Sequence, residues 1–531
     1  MTASYRLADS TVVEPLINHW AIWADLLSPA PYSMHMSNYQ IPTLVSYLEN
    51  PELHIKASRN PKLIGGPFVD IPQERKGEVQ TLLEKSRTEQ AANIEFAKAI
   101  VEFSSFLQKE ANGPSLEPLY GKLPPALRGY VELLYDYHNH PILRILESFV
   151  YRSRYYNDQL QSLRLFRPAR DDSRRFFLST PHLPTETDLD WRLPFADARI
   201  DDLFRLEKNP RPLEEIAELL GLDQKQSSQL LPMLTQEPAK APQPWTGSKP
   251  RIRYLGHACV LVEINGVSIM TDPWIGVVPT EGGMERLTYK DLPEQIDFAV
   301  VTHAHHDHFV PETLLRLRHK IKTLIVPKSF GLMYADVSLK LAAGKLGFKN
   351  VMEVDAMDTV PFPGGEIIAA PFFGEHADLA HAKMAYVVQA GGERILFAAD
   401  SNCIDPQIYV NLRKAIGDIK TVFLGMECVG APLSWLYGAI LPAKIQHSFD
   451  KTRRTKGSDS SAALALIEAV GCNRVYIYAL GSEPWFYHGM GLGNSDDSVQ
   501  IKEANIVLAT LRSKDFFVDA QRPYGPMEIS L

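Results

Sequence analysis

Thr302-His303-Ala304-His305-His306-Asp307-His308 is an H-x-H-x-D-H run set directly behind the apolar stretch Ile296 to Val301. That stretch reads as a strand. Alternate residues of the extended chain leaving it project to one side, so His303 and His305 converge on one ion while Asp307 and His308 face a second. Imidazole nitrogen with carboxylate oxygen suits zinc, iron or manganese, and two ions held side by side can share a bridging oxygen species. A surface histidine cluster or a helix face is the competing reading. Four ligand-type side chains within six positions, immediately after a buried-type strand, weigh against it.

The segments upstream agree. Arg251-Ile-Arg-Tyr-Leu-Gly-His257-Ala-Cys-Val-Leu-Val-Glu263 and Val267-Ser-Ile-Met-Thr-Asp272-Pro-Trp274 read as two short strands ending in polar punctuation. With these elements, residues 249 to 520 or so resemble the metallo-beta-lactamase superfamily, in particular its lactonase and phospholipase-like branch. The resemblance implies an αββα sandwich, an α/β fold with the metals on the loops at one sheet edge.

Further ligands are expected at later strand ends. Asp400, closing Ile395-Leu-Phe-Ala-Ala, matches the superfamily's bridging carboxylate. After Ile367-Ile-Ala-Ala-Pro-Phe-Phe-Gly374, where hydrolases of the superfamily carry a histidine, this chain offers Glu375 and then His376, and both are candidates. A carboxylate there makes the first metal's shell harder and favours iron or manganese over zinc.

That departure, together with the long amino-terminal region, makes the chain similar over nearly its full length to the diiron beta-hydroxylases of nonribosomal peptide pathways, among them the enzyme of chloramphenicol biosynthesis. The resemblance implies His303, His305 and Glu375 on one iron, Asp307 and His308 on the other, and Asp400 between them. For the final histidine that hydrolases place after the last strand, His488 is the nearest substitute, and Glu483 and Glu427 read as supporting acids. It further implies dioxygen as cosubstrate, an external electron donor, and a substrate held as an aminoacyl thioester on the phosphopantetheine of a peptidyl carrier protein. The rival is a hydrolase with two zinc ions. Glu375 favours the oxygenase, and His376 as ligand would favour hydrolysis.

Composition bounds the rest. The chain has 531 residues, 45% of them hydrophobic, enough for two cores. Its net charge of −8 argues against a nucleic-acid partner. Four widely spaced cysteines form no C-x-x-C pair, so a reducing, cytoplasmic setting is expected. The first residues lack the apolar core of a signal peptide, and no stretch is long and apolar enough for a bilayer.

The proline-rich run 236–250 reads as a linker, dividing a mainly helical or mixed amino-terminal domain (1–245), suited to dimerisation or carrier docking, from a catalytic domain (246–531). In the former, Phe96, Ile100, Phe103 and Leu107 recur at helical spacing, as do Leu127, Val131 and Leu134, and Ile142, Ile145 and Phe149. Beyond the linker, strands alternate with helices predicted over 311–320, 338–346 and 460–470. Residues 211–235 resemble a helix-turn-helix. With Lys225 the one cation of its candidate recognition helix, Gln224 to Leu234, and a glutamate-rich partner helix, it reads as a winged-helix-like packing or homodimerisation module rather than a DNA reader. An arginine tract, Arg152, Arg154, Arg164, Arg167, Arg170, Arg174 and Arg175, reads equally well as a solvated face or as a docking site for an acidic carrier. The aromatic loop Ala431 to Ile440 is a candidate roof for the substrate pocket.

Overall fold

The computed structural model describes residues 3–531 apart from 241, 375, 377, 492 and 494. Beyond the linker the chain forms two seven-stranded sheets. The first runs, in spatial order, Val351–Val354, Ile321–Pro327, Ile296–Val300, Val267–Thr271, Cys259–Ile264, Arg251–Gly256 and Met527–Ser530. The second runs Thr359–Phe362, Gly365–Ala370, Ala385–Ala390, Glu393–Phe397, Thr421–Gly425, Arg474–Tyr478 and Asp519–Gln521. Cys259–Ile264 is buried at every position, as a strand covered on both faces must be.

The sheets pack face to face through Ile252, Val260, Ile269, Val300 and Ile325 on one side and Ile367, Tyr386, Phe397, Phe423 and Tyr476 on the other. The helices Gln407–Ile416, Ser460–Val470 and Val499–Arg512 cover the outer face of the second sheet through Leu412, Leu466 and Leu508. This is the αββα sandwich that the sequence implied.

The outer face of the first sheet is covered differently. Pro311–Leu317 and Leu339–Lys345 pack on it, and the amino-terminal region packs on them: Leu163, Trp191, Phe204 and Leu220 share one apolar core with Leu261, Ala299, Leu314 and Leu324. The linker therefore joins two parts that have a core in common. The segment 211–235 folds as the helices Leu213–Leu220 and Gln224–Leu230 about a left-handed Gly221, beside a small sheet of Arg211–Pro212, Ser4–Leu7 and Leu234–Thr235. Its Ile216, Leu220 and Leu230 lie in the shared core.

Ala91–Glu110 is a helix as its periodicity predicts. The helical expectation for residues 127–149 is overturned over 131–145, where Val131–Tyr135 and Pro141–Ile145 pair as an antiparallel hairpin, and holds only for the single turn Glu147–Val150 that carries Phe149. The buried set there is Val131, Leu133, Leu143 and Ile145, a period of two. Asp136 closes the turn by accepting from the backbone N–H of His138 and of His140, and Asn139 takes the left-handed conformation.

The arginine tract is divided: Arg164 and Arg174 are drawn inward, while Arg152, Arg154, Arg167, Arg170 and Arg175 are exposed, as the solvated-face reading expects. Arg174 pairs with Glu14 and Glu312, Arg164 with Glu14 and Asp188, and Arg175 with Asp70. Arg154 lies 3.8 Å from Glu95. Among the described residues no helix is long and apolar enough to cross a membrane.

Candidate metal centre

The strand Ile296–Val300 delivers the H-x-H-x-D-H run to the sheet edge, where Asp272 organises it. Asp272 is completely buried, and its N–H donates to the carbonyl of Val300, the last residue of that strand. Its carboxylate accepts the backbone N–H of Thr302 at 2.7 Å and the Thr302 hydroxyl at 2.7 Å. It also lies 2.8 Å from His308 Nδ1. His303 Nδ1 in turn lies 2.9 Å from Thr302 Oγ1. With both Nδ1–H groups donated towards Asp272 and Thr302, the Nε2 atoms of His303 and His308 face Asp400 Oδ2, at 3.9 and 3.0 Å. The remaining backbone bonds close the turn: His308 and Phe309 N–H both donate to the carbonyl of His305.

Three groups of ligand atoms, each within 4.8 Å of one another, result: His303, His305 and His376; His257, Asp307 and His308; and His303, His308 and Asp400. The third shares a member with each of the others. It puts Asp400 between two adjacent sites. Every residue of these three groups is buried. Gly425 makes room for Asp400, since a Cβ there would lie 2.7 Å from Asp400 Oδ1 and 2.7 Å from the Ala399 carbonyl oxygen.

The charges suit cations. Burial, then the neighbouring His308, His305 and His376, hold His303 well below the usual imidazole range, which keeps it neutral and able to ligate. Burial opposes protonation of His308, but Asp400, Asp307 and Asp272 outweigh it and raise the imidazole well above its ordinary value. Burial likewise opposes ionisation of Asp307, and His308 and His257 outweigh that. The carboxylates that hold a proton on His308 are the charges a dication would meet in that proton's place, and with the neutral His303 they form a donor set that fits two dications.

His305 Nε2 lies 2.9 Å from the hydroxyl of the buried Tyr437. Donation of Nε2–H to that oxygen leaves Nδ1 for an ion. His376 stacks on His305 with ring centroids 4.3 Å apart. Glu375 lies outside the described residues.

His257, quoted in the sequence as part of a strand-end motif, joins the second group: its Nε2 is 3.1 Å from Asp307 Oδ2. Its backbone takes a positive φ of 49° and its N–H donates to Glu483, which also binds the Tyr254 hydroxyl. Glu483 is thus the acid that holds His257 in place. Sequence spacing missed His257 because it arrives from another strand, 50 residues before Asp307.

His488 falls outside all three groups. Its ring packs beside Trp274 and Phe177, with centroids 5.9 and 6.2 Å away, on the far side of the metal loop near His306. Among the described residues it is His257, and not His488, that stands with Asp307 and His308. Glu427 accepts from Gln500 Nε2 and from the backbone N–H of Gly430 and is likewise outside the groups.

Comparison with known proteins extends these observations to the whole chain. A family model described as the diiron non-heme beta-hydroxylase N-terminal domain matches residues 6–238, and a beta-lactamase superfamily domain matches residues 251–398. The chain is 33% identical over 519 residues, 96% of its length and 97% of the relative's, to 4-amino-L-phenylalanyl-[CmlP-peptidyl-carrier-protein] 3-hydroxylase of Streptomyces venezuelae. The crystal structure of CmlA, a diiron beta-hydroxylase from Streptomyces venezuelae, superposes with a TM-score of 0.92 at 30% identity, covering all of both chains. A metal-dependent hydrolase of Thermus thermophilus is 29% identical over 154 residues, only 28% of this chain. Likeness that runs through the amino-terminal region as well as the metal-bearing sandwich is therefore shared with the hydroxylase and not with the hydrolases, and this chain belongs to the diiron non-heme beta-hydroxylase family.

Proposed function

We propose that this enzyme is a dioxygen-dependent monooxygenase that hydroxylates the beta-carbon of an aminoacyl group carried as a thioester on a peptidyl carrier protein. The observation that carries the reading is the full-length likeness to a hydroxylase named for a carrier-bound substrate. His303 and His305, with Glu375 as the family resemblance implies and His376 beside them, would hold one iron; Asp307, His308 and His257 would hold the other, with Asp400 between. Two irons so held supply the means to activate dioxygen with electrons from an external donor.

The chain's own part is positional. Asp272 sets the imidazole nitrogens of His303 and His308, Glu483 holds His257, and Tyr437 fixes His305 from the carboxy-terminal loop. The surrounding Phe372, Trp274 and Phe486 keep the centre dry.

Metal analysis of protein from iron-supplemented cells tests this reading, with mass spectrometry of a loaded carrier after turnover. About two irons per chain and a 16-Da gain on the aminoacyl thioester are expected. Two zinc ions with thioester hydrolysis and no gain would overturn it.

A further inference from the structure

Most of the charge in the arginine tract is locally balanced: Arg154 pairs with Glu95, Arg164 with Glu14 and Asp188, Arg170 with Asp172, Arg174 with Glu14 and Glu312, and Arg175 with Asp70, while Arg167 donates to Ser10 and the Pro232 carbonyl. A second basic segment lies against the metal centre. Residues 444–456 contain Lys444, Lys451, Arg453, Arg454 and Lys456 and one acid, Asp450, in a chain of net charge −8. Asp450 is turned inward, accepting from the N–H of Ser434 at 2.8 Å and from its hydroxyl at 2.6 Å. Lys444, Lys451 and Lys456 are exposed. Among the described residues the Arg454 guanidinium donates to carbonyl oxygens, of Val429 and Gly430. Arg453 faces the exposed Asp378 at 3.8 Å.

The segment is tied to the site through its carboxy-terminal part. Immediately after Lys456, Gly457 N–H donates to the carbonyl of Glu427 at 2.9 Å. Ser458 Oγ donates to that of Ser401, next to Asp400, at 3.1 Å. A Cβ on Gly374, one residue before Glu375, would lie 3.6 Å from the Lys456 carbonyl oxygen. In the other direction Leu433 N–H donates to the Arg453 carbonyl, and Leu433 begins the short helix that leads to Tyr437 and so to His305. Apolar side chains stand exposed among the cations and beside them: Phe449 at 55%, Trp435 at 56% and Ile404 at 66%. Cations around exposed apolar anchors form a surface for a partner that is acidic and partly apolar.

We propose that residues 444–456 are the docking surface for the acidic carrier protein, whose phosphopantetheine phosphate meets this cationic rim while the arm passes to the metals. The proposal rests on the carrier-tethered reading above and adds where the carrier sits.

The test measures binding of a phosphopantetheinylated peptidyl carrier domain to the iron-loaded enzyme over a range of salt. The variants are the triple reversal Lys444→Glu, Lys451→Glu, Lys456→Glu, the triple alanine at the same positions, and Arg152→Glu with Arg154→Glu. The reversal is expected to raise the carrier Kd about tenfold or more at low salt, by an amount that shrinks as salt rises, with the alanine variant intermediate. Iron content and Tm should stay unchanged. Unchanged carrier affinity in the reversal, or a loss equalled in the Arg152/Arg154 variant, would overturn the docking surface and leave the carrier reading intact. Equal losses for the carrier and for a short DNA duplex would mean a general anion surface and would also overturn it. Failure of the unmodified enzyme to bind or hydroxylate any loaded carrier would overturn both. Should the triple reversal fail to fold, Lys451→Glu alone, at an exposed helix-end position, carries the same test.

Discussion

Asp272 Oδ2 lies 2.8 Å from His308 Nδ1, and this bond decides which nitrogen of His308 faces Asp400. The same carboxylate orients His303 through the Thr302 hydroxyl. One buried acid therefore sets the tautomer of an imidazole in each of the two sites.

Asp272→Asn keeps the shape but offers one acceptor where the carboxylate offers two. Iron affinity is expected to fall about 10- to 100-fold, the usual effect of losing an oriented partner of a ligand. Metal titration monitored by the visible spectrum checks it; affinity within twofold of the parent would show that Asp272 is dispensable for orientation.

Tyr437→Phe removes the hydroxyl beside His305 Nε2. We expect iron binding at the first site to weaken roughly tenfold while the second site is unaffected, so stepwise metal titration should split into two phases. A single unaltered phase would count against this role for Tyr437.

Glu375 and His376 are separated by a pair of variants. Glu375→Ala should lose about one of two irons, while His376→Ala should keep both and change the spectrum. The reverse pattern would assign the imidazole as ligand and move the centre towards the hydrolases.

Glu14 joins the amino-terminal region to the metal-bearing part through Arg174, which also pairs with Glu312. Burial opposes ionisation of Glu14, yet Arg174 and Arg164 outweigh it and hold its carboxyl below its ordinary value of 4.5. The stability it contributes is complete above that unfolded value and is lost as the pH falls through the depressed folded one. The Tm difference between the parent and Glu14→Gln should therefore hold constant from neutral pH down to about 5 and then shrink. Glu14→Gln should lower stability by about 3 kcal/mol at pH 7 and flatten the acid limb.

Gly425→Ala places a methyl 2.7 Å from Asp400 Oδ1. The carboxylate between the two sites must move, and loss of about half the iron is expected. Full iron content would show that the strand end can shift instead.

The metal loop was legible because its ligands are local: the strand, the turn and four donors lie within a dozen residues. The sandwich was legible for a related reason, since short apolar runs between turns leave few other packings. What stayed hidden depends on distant partners. His257 becomes a candidate ligand only when Arg251–Gly256 is laid beside its neighbouring strands, and nothing in its own surroundings distinguishes it from a strand-end residue. Most of the arginine tract is the surface that a charge run usually is, but Arg174 is drawn inward by Glu14 and Glu312, 160 and 138 residues away. The hairpin at 131–145 was misread because its apolar positions fit both periods, and only the observed burial tells them apart.

The linker at 236–250 looks like a place to cut, but the apolar core crosses it, with Trp191 and Phe204 on one side and Leu261 and Leu324 on the other. Nicking that linker should leave a noncovalent complex that melts in a single cooperative transition, the behaviour expected of the uncut chain. Neither fragment alone could bury its share of that surface. The region that in sequence resembles an appendage is, in energetic terms, half of the wall on which the metal-bearing sheet rests.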